Sequence, residues 1–407
     1  MSVQADLPII IVGAGLVGLT LAQALKSEGI PFEIYERDSG LNSRYGGWAI
    51  SLHWAMKPLA SCLPPELYAQ IPKIHVHPEV ADRDRIPSVY LNLETGKPKF
   101  AAETQSHYRV HRIKLREILS QGIDIKWNKA FTGYKVTNDG VVVSFADGTE
   151  VKGAILAAAD GKNSRAKSML MGREKAALHD LPIAFIGLKL RGDEEYMKPF
   201  HSVAPVLWQG THPATGVYIF CSRVSTPQLN GSAGSEKEYH EVQFNMSWIM
   251  KEDESPIPAD NAGKIAKLKE KAKEGTGFYP GLRKALESIT DDQEALDIKL
   301  QDWPTLDWDV CSGGRVTILG DAAHPMTMYR GEAANHGMYD AVLLKNQIQL
   351  WRNGKKSLEQ AIRDFQTEMR IRANEAVLLS RQACFDSHFL DSLTLASPLL
   401  SIKRRLV

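Results

Sequence analysis

Ile9-Ile10-Ile11-Val12-Gly13-Ala14-Gly15-Leu16-Val17-Gly18 is the stretch on which the fold turns. Pro8 to Val12 is an apolar run with the length of a buried strand. A Gly-Xaa-Gly-Xaa-Xaa-Gly turn follows at once. Leu16, Leu19, Leu21, Ala22 and Leu25 then recur at helical spacing as far as Ser27. Gly29 closes that helix, Pro31 to Tyr35 makes a second strand, and Glu36-Arg37 stands at its end. This is a complete βαβ unit. Gly13, Gly15 and Gly18 allow the tight turn, the approach of backbone to a pyrophosphate and close helix–strand packing, while Glu36 can take two ribose hydroxyls. The unit alone does not distinguish FAD from NAD.

Outward from this unit, a chain of 407 residues is too long for one ordinary core, so two lobes are expected. Hydrophobic residues make up 43% and charged residues 24%, as in ordinary globular proteins. A net charge of +1 gives no footprint for nucleic acid or an anionic membrane. The four cysteines, Cys62, Cys221, Cys311 and Cys384, form no CxxC pair. That argues against a zinc site or a disulfide framework and fits a reducing, cytoplasmic compartment. No signal peptide is expected, and no apolar run approaches the roughly eighteen residues of a membrane span. The tail from Leu390, mildly amphipathic and ending in Lys403-Arg404-Arg405, reads as a solvated chain end, with surface docking as the alternative.

Further motifs follow in order. Residues 42–60 carry the pair Gly46-Gly47, which would let backbone approach something flat, and His53, read as catalytic or as a packed or capping histidine. Tyr108-Arg109-Val110-His111-Arg112 opens a helix, placing Arg112 to reach cofactor phosphate or ribose. Asn138-Asp139-Gly140 and Asp147-Gly148 turn an antiparallel meander. Its last strand, Val151 to Ala157, returns to the first sheet and ends at Asp160-Gly161. Between 182 and 250, strands are expected at Ile183–Leu190, Val203–Leu207, Val217–Cys221 and Val242–Ile249. In the last, Val242, Phe244, Met246 and Trp248 alternate with Gln243, Asn245 and Ser247, giving one polar and one covered face. Pro256 to Ile289 reads as helical. Val316 to Leu319 reads as a buried strand, and Gly320-Asp321 ends it with a carboxylate able to accept from a ribityl hydroxyl. Gly331 to Ala341 opens a helix whose free N–H groups suit an electron-rich flavin edge. Two long helices, 333–352 and 357–384, close the chain.

The glycine fingerprint with Glu36, Arg112, Asp160-Gly161 and Gly320-Asp321, in this order, resembles the FAD-dependent monooxygenases built like p-hydroxybenzoate hydroxylase. The resemblance covers nearly the whole chain. Tyr45 to Trp54 and the residues around His324 look like the fungal salicylate-hydroxylase-like branch. It implies an α/β fold with a Rossmann-like FAD-binding domain made of residues 1–72, 105–180 and 301–352. A β-rich substrate domain (73–104 and 181–300) is inserted, and a helical segment (353–407) follows. It also implies roles. Gly13, Gly15 and Gly18 lie under the pyrophosphate and Glu36 holds the adenosine ribose. Ala49 and Arg112 line the cofactor channel. Asp160 sits near the bound nucleotide and helps to receive NAD(P)H. Asp321, Ala334 and Asn335 bracket the ribityl and isoalloxazine parts. Gly231-Ser232-Ala233-Gly234 is no second fingerprint, which fits a reductant that visits transiently. Two positions depart from the family pattern: Met328 stands where a proline is usual, and Ala333 where a second glycine is.

The chemistry so implied is reduction of FAD by NAD(P)H, addition of O2 at flavin C4a, and oxygen transfer to an electron-rich phenol or aromatic polyketide. A base would deprotonate the phenol and a cation would hold the phenolate. Strand position nominates Tyr218 and Arg191. Met328 and Ala333 keep open an alternative outcome on the same cofactor: epoxidation, Baeyer–Villiger insertion or oxidative cyclisation. A non-catalytic protein using the nucleotide fold to bind flavin or a partner is a third reading.

Overall fold

In the computed structural model, residues 7–43, 48–81, 85–105, 108–308 and 313–401 are described. The readings made on Tyr45 to Gly47, Cys311 and Lys403 to Arg405 lie outside the described residues. The apolar runs become a five-stranded parallel sheet in the order Val316–Ile318, Ile155–Ala158, Ile9–Val12, Phe32–Tyr35, Ile125–Lys126. Ile9, Ile10 and Ile11 are wholly buried, as a parallel strand covered on both faces must be. Helix Leu16–Ser27 packs against helices Arg112–Ser120 and Ala333–Arg352. The chain therefore has a Rossmann-like α/β domain with an inserted β-rich region and C-terminal helices, the last being Leu358–Asp386.

Phe131–Thr137, Gly140–Phe145 and Glu150–Gly153 form the antiparallel meander. Val151 to Ala157 is two strands rather than one. Gly153 ends the meander, and Ile155 starts the strand that pairs with Ile9–Val12.

The second sheet has seven strands in the order Glu294–Asp297, Ile183–Gly192, His240–Ile249, Tyr218–Ser225, Leu207–Thr211, Arg85–Asn92, Pro98–Gln105. Two sequence expectations fail here. The strand expected at Val203–Leu207 starts only at Leu207, since Pro205 has no N–H for a ladder. Before it comes a helix, Glu194–His201, capped by Asp193, whose Oδ1 accepts from Tyr196 N–H at 2.8 Å. The helix expected over Pro256–Ile289 is two helices, Asn261–Lys271 and Pro280–Glu287, divided where Gly275 and Gly277 take φ of +64° and +72°.

A short ribbon, Ala49–Leu52 paired with Tyr108–His111, touches both strand Tyr218–Ser225 and, through Ala49–Leu52, helix Ala333–Arg352. It joins the two sheets, and the cavity opens along it. Among the described residues, no helix is long and apolar enough to cross a membrane.

Candidate active site

A cavity of about 2140 Å³ runs from the glycine turn to the inner face of the seven-stranded sheet. Ordinary small-molecule pockets take about 300–1,000 Å³, so this one has room for a dinucleotide and a second ligand. At the glycine end the three fingerprint residues divide their work. Gly13 takes φ +99°, and a Cβ there would fall 2.4 Å from the Ala159 carbonyl oxygen. A Cβ on Gly18 would fall 1.9 Å from the Gly13 oxygen. Those two positions are glycine for packing. Gly15 faces the cavity, and a Cβ on it would meet nothing within 4 Å. Helix Leu16–Ser27 starts there with no side chain accepting its first N–H groups. Free backbone donors and the positive dipole end thus face open space of the kind a pyrophosphate fills.

Glu36 lies beside that space. Its Oε2 accepts from Ala14 N–H at 2.7 Å and its Oε1 from Asp38 N–H at 3.1 Å. Arg112 lines the cavity, as does Arg116 one turn further along the same helix. Arg116 donates to the Ala14 and Leu41 carbonyls at 2.8 and 2.9 Å, bracing the glycine turn. The sequence reading named Arg112 and passed over Arg116; the spacing of four on one helix face was the available signal. Asp160 has two separate tasks. Its Oδ2 accepts from Arg165 N–H at 2.9 Å, while its Oδ1 is buried without a hydrogen-bond partner. Burial raises its carboxyl above the ordinary value, against hydrogen bonds from Ser164 and the Ala166 and Arg165 N–H groups.

Asp321 has free surface toward the cavity and is otherwise walled in by protein. Burial raises its carboxyl, and His324, Arg112 and Lys162 pull it partly back. Gly320, with φ +60°, makes the turn that presents it. That turn is held from behind. Asp340, fully buried, accepts from Gly320 N–H at 2.9 Å and contacts His324 Nε2 at 2.5 Å. Its other oxygen accepts from Arg372 at 2.6 Å, and Arg372 also reaches His336 and Glu368. Burial opposes ionisation of Asp340, but His324 and Arg372 outweigh it and hold the carboxyl at about 2. Sequence reasoning missed this anchor, because Asp340 reads locally as one more polar residue of a helix.

Helix Ala333–Arg352 starts without a side-chain cap, and Ala333 and Ala334 stand on the cavity wall. Asn335 does not. It is fully buried, its Oδ1 accepts from His53 N–H at 2.8 Å, and its Nδ2 donates to the Ser51 carbonyl at 2.9 Å. Its side chain locks the helix start to the ribbon and leaves only its backbone for the flavin edge expected there. Ala49 and His53, on or beside that ribbon, do line the cavity, as does Met328, which is 43% exposed.

The far end is a chamber floored by strands Tyr218–Ser225 and His240–Ile249. Tyr218 pairs with Ser247, Phe220 with Asn245 and Ser222 with Gln243. The alternation read at 242–249 is therefore real, but its polar face is covered too, by the chamber and its walls. Asn245 is 2% exposed, and its Oδ1 has no hydrogen-bond partner. Tyr218 donates its hydroxyl to Gln209 Oε1 at 2.7 Å. Tyr329 OH lies 2.8 Å from Ser247 Oγ, which lies 3.0 Å from His388 Nε2. Since His388 Nδ1 must donate to the Cys384 carbonyl at 2.8 Å, Nε2 accepts, and the protons run from Tyr329 to Ser247 to His388. Burial holds His388 at about 4, against hydrogen bonds to the Cys384 and Phe385 backbone. Both phenols, which burial pushes well up, have their protons committed to protein and present oxygen as acceptor.

Arg191 is absent from this chamber. It lies on the correct face but at the end of its strand, where Glu241 Oε1 takes it at 3.0 Å and the Tyr239 ring stacks 4.1 Å away. A cation that does stand on the chamber wall is Arg109, 5% exposed. It donates to Ser222 Oγ at 2.5 Å, Ser51 Oγ at 3.1 Å and Gln243 Oε1 at 3.3 Å, and lies over the Phe220 ring at 5.2 Å. All three acceptors are neutral. Among the described residues no carboxylate pairs with it, and two of its five N–H groups have no protein acceptor. Burial lowers its pKa.

The residues fit a flavin dinucleotide. The room left at Gly15, the uncapped starts of two helices and the walled-in Asp321 carboxylate all face one cavity of sufficient size. Comparison with known proteins agrees. The NAD(P)-binding Rossmann-like domain family matches residues 11–53. FAD-dependent monooxygenase dbaB of Emericella nidulans is 44% identical over 85% of this chain and 88% of its own. FAD-dependent monooxygenase cctM of Talaromyces islandicus is 31% identical over 91% of this chain and 90% of its own. Klebsiella pneumoniae HpxO, solved with FAD and uric acid, superposes with a TM-score of 0.73 over 95% of this chain and 90% of that one. At 19% identity that likeness speaks to the fold.

Proposed function

The chain belongs to the FAD-dependent monooxygenases, and from that premise we propose that it uses NAD(P)H and O2 to hydroxylate a phenolic aromatic compound bound as its anion, in secondary metabolism. Within the enzymes of p-hydroxybenzoate hydroxylase type we place it in the fungal salicylate-hydroxylase-like branch, on the wording of Tyr45 to Trp54 and the residues around His324. The flavin, when bound, supplies electron transfer and activation of dioxygen.

The observation that carries the reading is Arg109. A guanidinium so deeply buried without a carboxylate is an incomplete ion pair, and burying one is costly unless a ligand completes it. Its spare N–H groups would hold a phenolate oxygen, keeping the ring electron-rich and oriented. Tyr218 and Tyr329, whose oxygens accept, would take a second substrate hydroxyl, and the orphaned Asn245 amide would take another polar group. On the cofactor side, Gly15 and the first turn of helix Leu16–Ser27 would carry the pyrophosphate, Glu36 the ribose, Asp321 the ribityl chain and Ala334 the ring edge. Ala49 and Arg112 would line the cofactor channel, and Asp160 would border the path of the reductant.

The test is a screen of hydroxyaromatic anions, each beside its O-methylated analogue, for acceleration of NAD(P)H oxidation by the flavin-loaded protein. Products are then made under 18O2. Acceleration by the free phenols, and one labelled oxygen in the product, is expected. An unlabelled oxidised product would move the assignment to a non-oxygenating flavoenzyme, and equal response to the methyl ethers would remove Arg109 from the argument.

A further inference from the structure

Residues Leu390–Ser401, read from sequence as part of a solvated tail, instead wall the chamber. Helix Leu358–Asp386 delivers Ser387 to the seven-stranded sheet, where its carbonyl accepts from Thr211 Oγ1 at 2.5 Å and from Tyr90 at 3.4 Å. The segment from Leu390 to Ser401 then folds back over the cavity. Lys99, on the sheet edge, donates to the Leu390 carbonyl. Arg330, 5% exposed and paired with Glu332 at 2.9 Å, donates to the Pro398 carbonyl and to Ser401 Oγ at 3.4 Å. Leu393 and Leu399 are buried, whereas Leu395 and Leu400 keep free surface, and Leu395, Leu399 and Leu400 all line the cavity.

Position along the floor gives this wall its meaning. The chain end meets the floor at the Tyr218–Ser247 row, through His388, which contacts Ser247 and packs 6.1 Å from the Tyr218 ring. Arg109 meets it at the Ser222–Gln243 row. Those rows are four residues apart on one strand, roughly 13 Å at the usual rise. At that row Leu399, with Leu400 packed against it, joins one hydrophobic cluster with the rings of Tyr218 and Tyr329, so the chamber runs from a cation to an apolar wall over a span one benzene ring does not fill.

We propose that Leu395, Leu399 and Leu400 are specificity-determining residues, and that the substrate is an elongated aromatic anion, fused-ring or alkyl-bearing, with its charge at Arg109 and its apolar flank on the chain end. The proposal rests on the reading of Arg109 as the anion site. Leu399 is structural as well, so the test uses the double variant Leu395→Ala/Leu400→Ala in the full-length, flavin-loaded protein. Perturbation of the flavin absorbance gives dissociation constants for two probes sharing one anionic edge: salicylate, with one ring, and 1-hydroxy-2-naphthoate, with two.

The wild type is expected to bind the two-ring probe about tenfold more tightly, the usual discrimination of an apolar pocket for added hydrocarbon. In the variant that ratio should fall to about threefold or less. Salicylate affinity, flavin content and thermal midpoint should be unchanged. Equal affinities in the wild type, an unchanged ratio in the variant, equal weakening of both probes, or binding of neither would overturn the proposal. Arg109→Gln separates the two readings. It should weaken both probes alike and leave the ratio intact, so its failure strikes the anion site and not the wall.

Discussion

Arg109 and Arg191 face the same sheet, and only their surroundings separate them. Arg191 has an acid and half its side chain in solvent; Arg109 has three neutral oxygens and no solvent to speak of. Replacing Arg109 by Gln should lower kcat/KM for a phenolic substrate about a hundredfold, the scale for truncating one member of a buried charged contact. Arg191→Ala should stay within about twofold of wild type, since an exposed ion pair is worth little. Steady-state kinetics on both variants check this. Asp340 allows a pH prediction. Its folded carboxyl sits at about 2 against an ordinary 3.8. A depressed carboxyl stabilises above its unfolded value and loses that contribution as pH falls toward the folded one. Between pH 4 and 2, thermal melts should therefore show a loss of about 2 kcal/mol that Asp340→Asn no longer shows. Gly15, Glu36 and Asp321 were legible because a backbone turn or strand end fixes where they point. Arg109 was not, because its importance lies in missing an acid, which only three-dimensional neighbours reveal.

Helix Leu16–Ser27 illustrates what an element contributes beyond its residues. Its start is bare on purpose of geometry: no cap, no acid in the first turn, and open space at Gly15. Two alanine substitutions two positions apart in the fingerprint should therefore behave differently. Gly13→Ala forces φ +99° on an L-residue and drives a methyl into Ala159, costing about 1–3 kcal/mol for the backbone alone. Its melting point should fall with or without flavin. Gly15→Ala should leave the flavin-free melt unchanged and weaken flavin binding about ten- to a hundredfold, the equivalent of one charge-assisted hydrogen bond. Fluorescence titration with FAD and scanning calorimetry distinguish the two. The βαβ unit, the meander turns and the two last helices were readable from local periodicity and turn chemistry. The helix at Glu194–His201 and the break at Gly275 were missed for lack of such periodicity, as both are settled by capping and by φ at single residues.

At the scale of the molecule, function depends on segments far apart in sequence meeting at one cavity: residues 13–36, 109–116, 160, 218–245, 321–334 and 395–400. The same interleaving protects its thiols. Cys62, Cys221 and Cys384 are free and buried, with burial raising Cys62 and Cys384 to about 12 and Cys221 further. A thiol reagent should therefore label no more than one of the four cysteines in the native protein and all four after unfolding. The five-stranded sheet has a further consequence, for birth rather than catalysis. Strand Ile155–Ala158 has its inner neighbour, Ile9–Val12, already made, but its outer neighbour, Val316–Ile318, leaves the ribosome roughly 160 residues later. At about 5–20 residues per second, a bare hydrophobic edge waits on the order of ten seconds for its partner. A chaperone that shields strand edges should accordingly raise the yield of nascent chains that complete the sheet before they find one another.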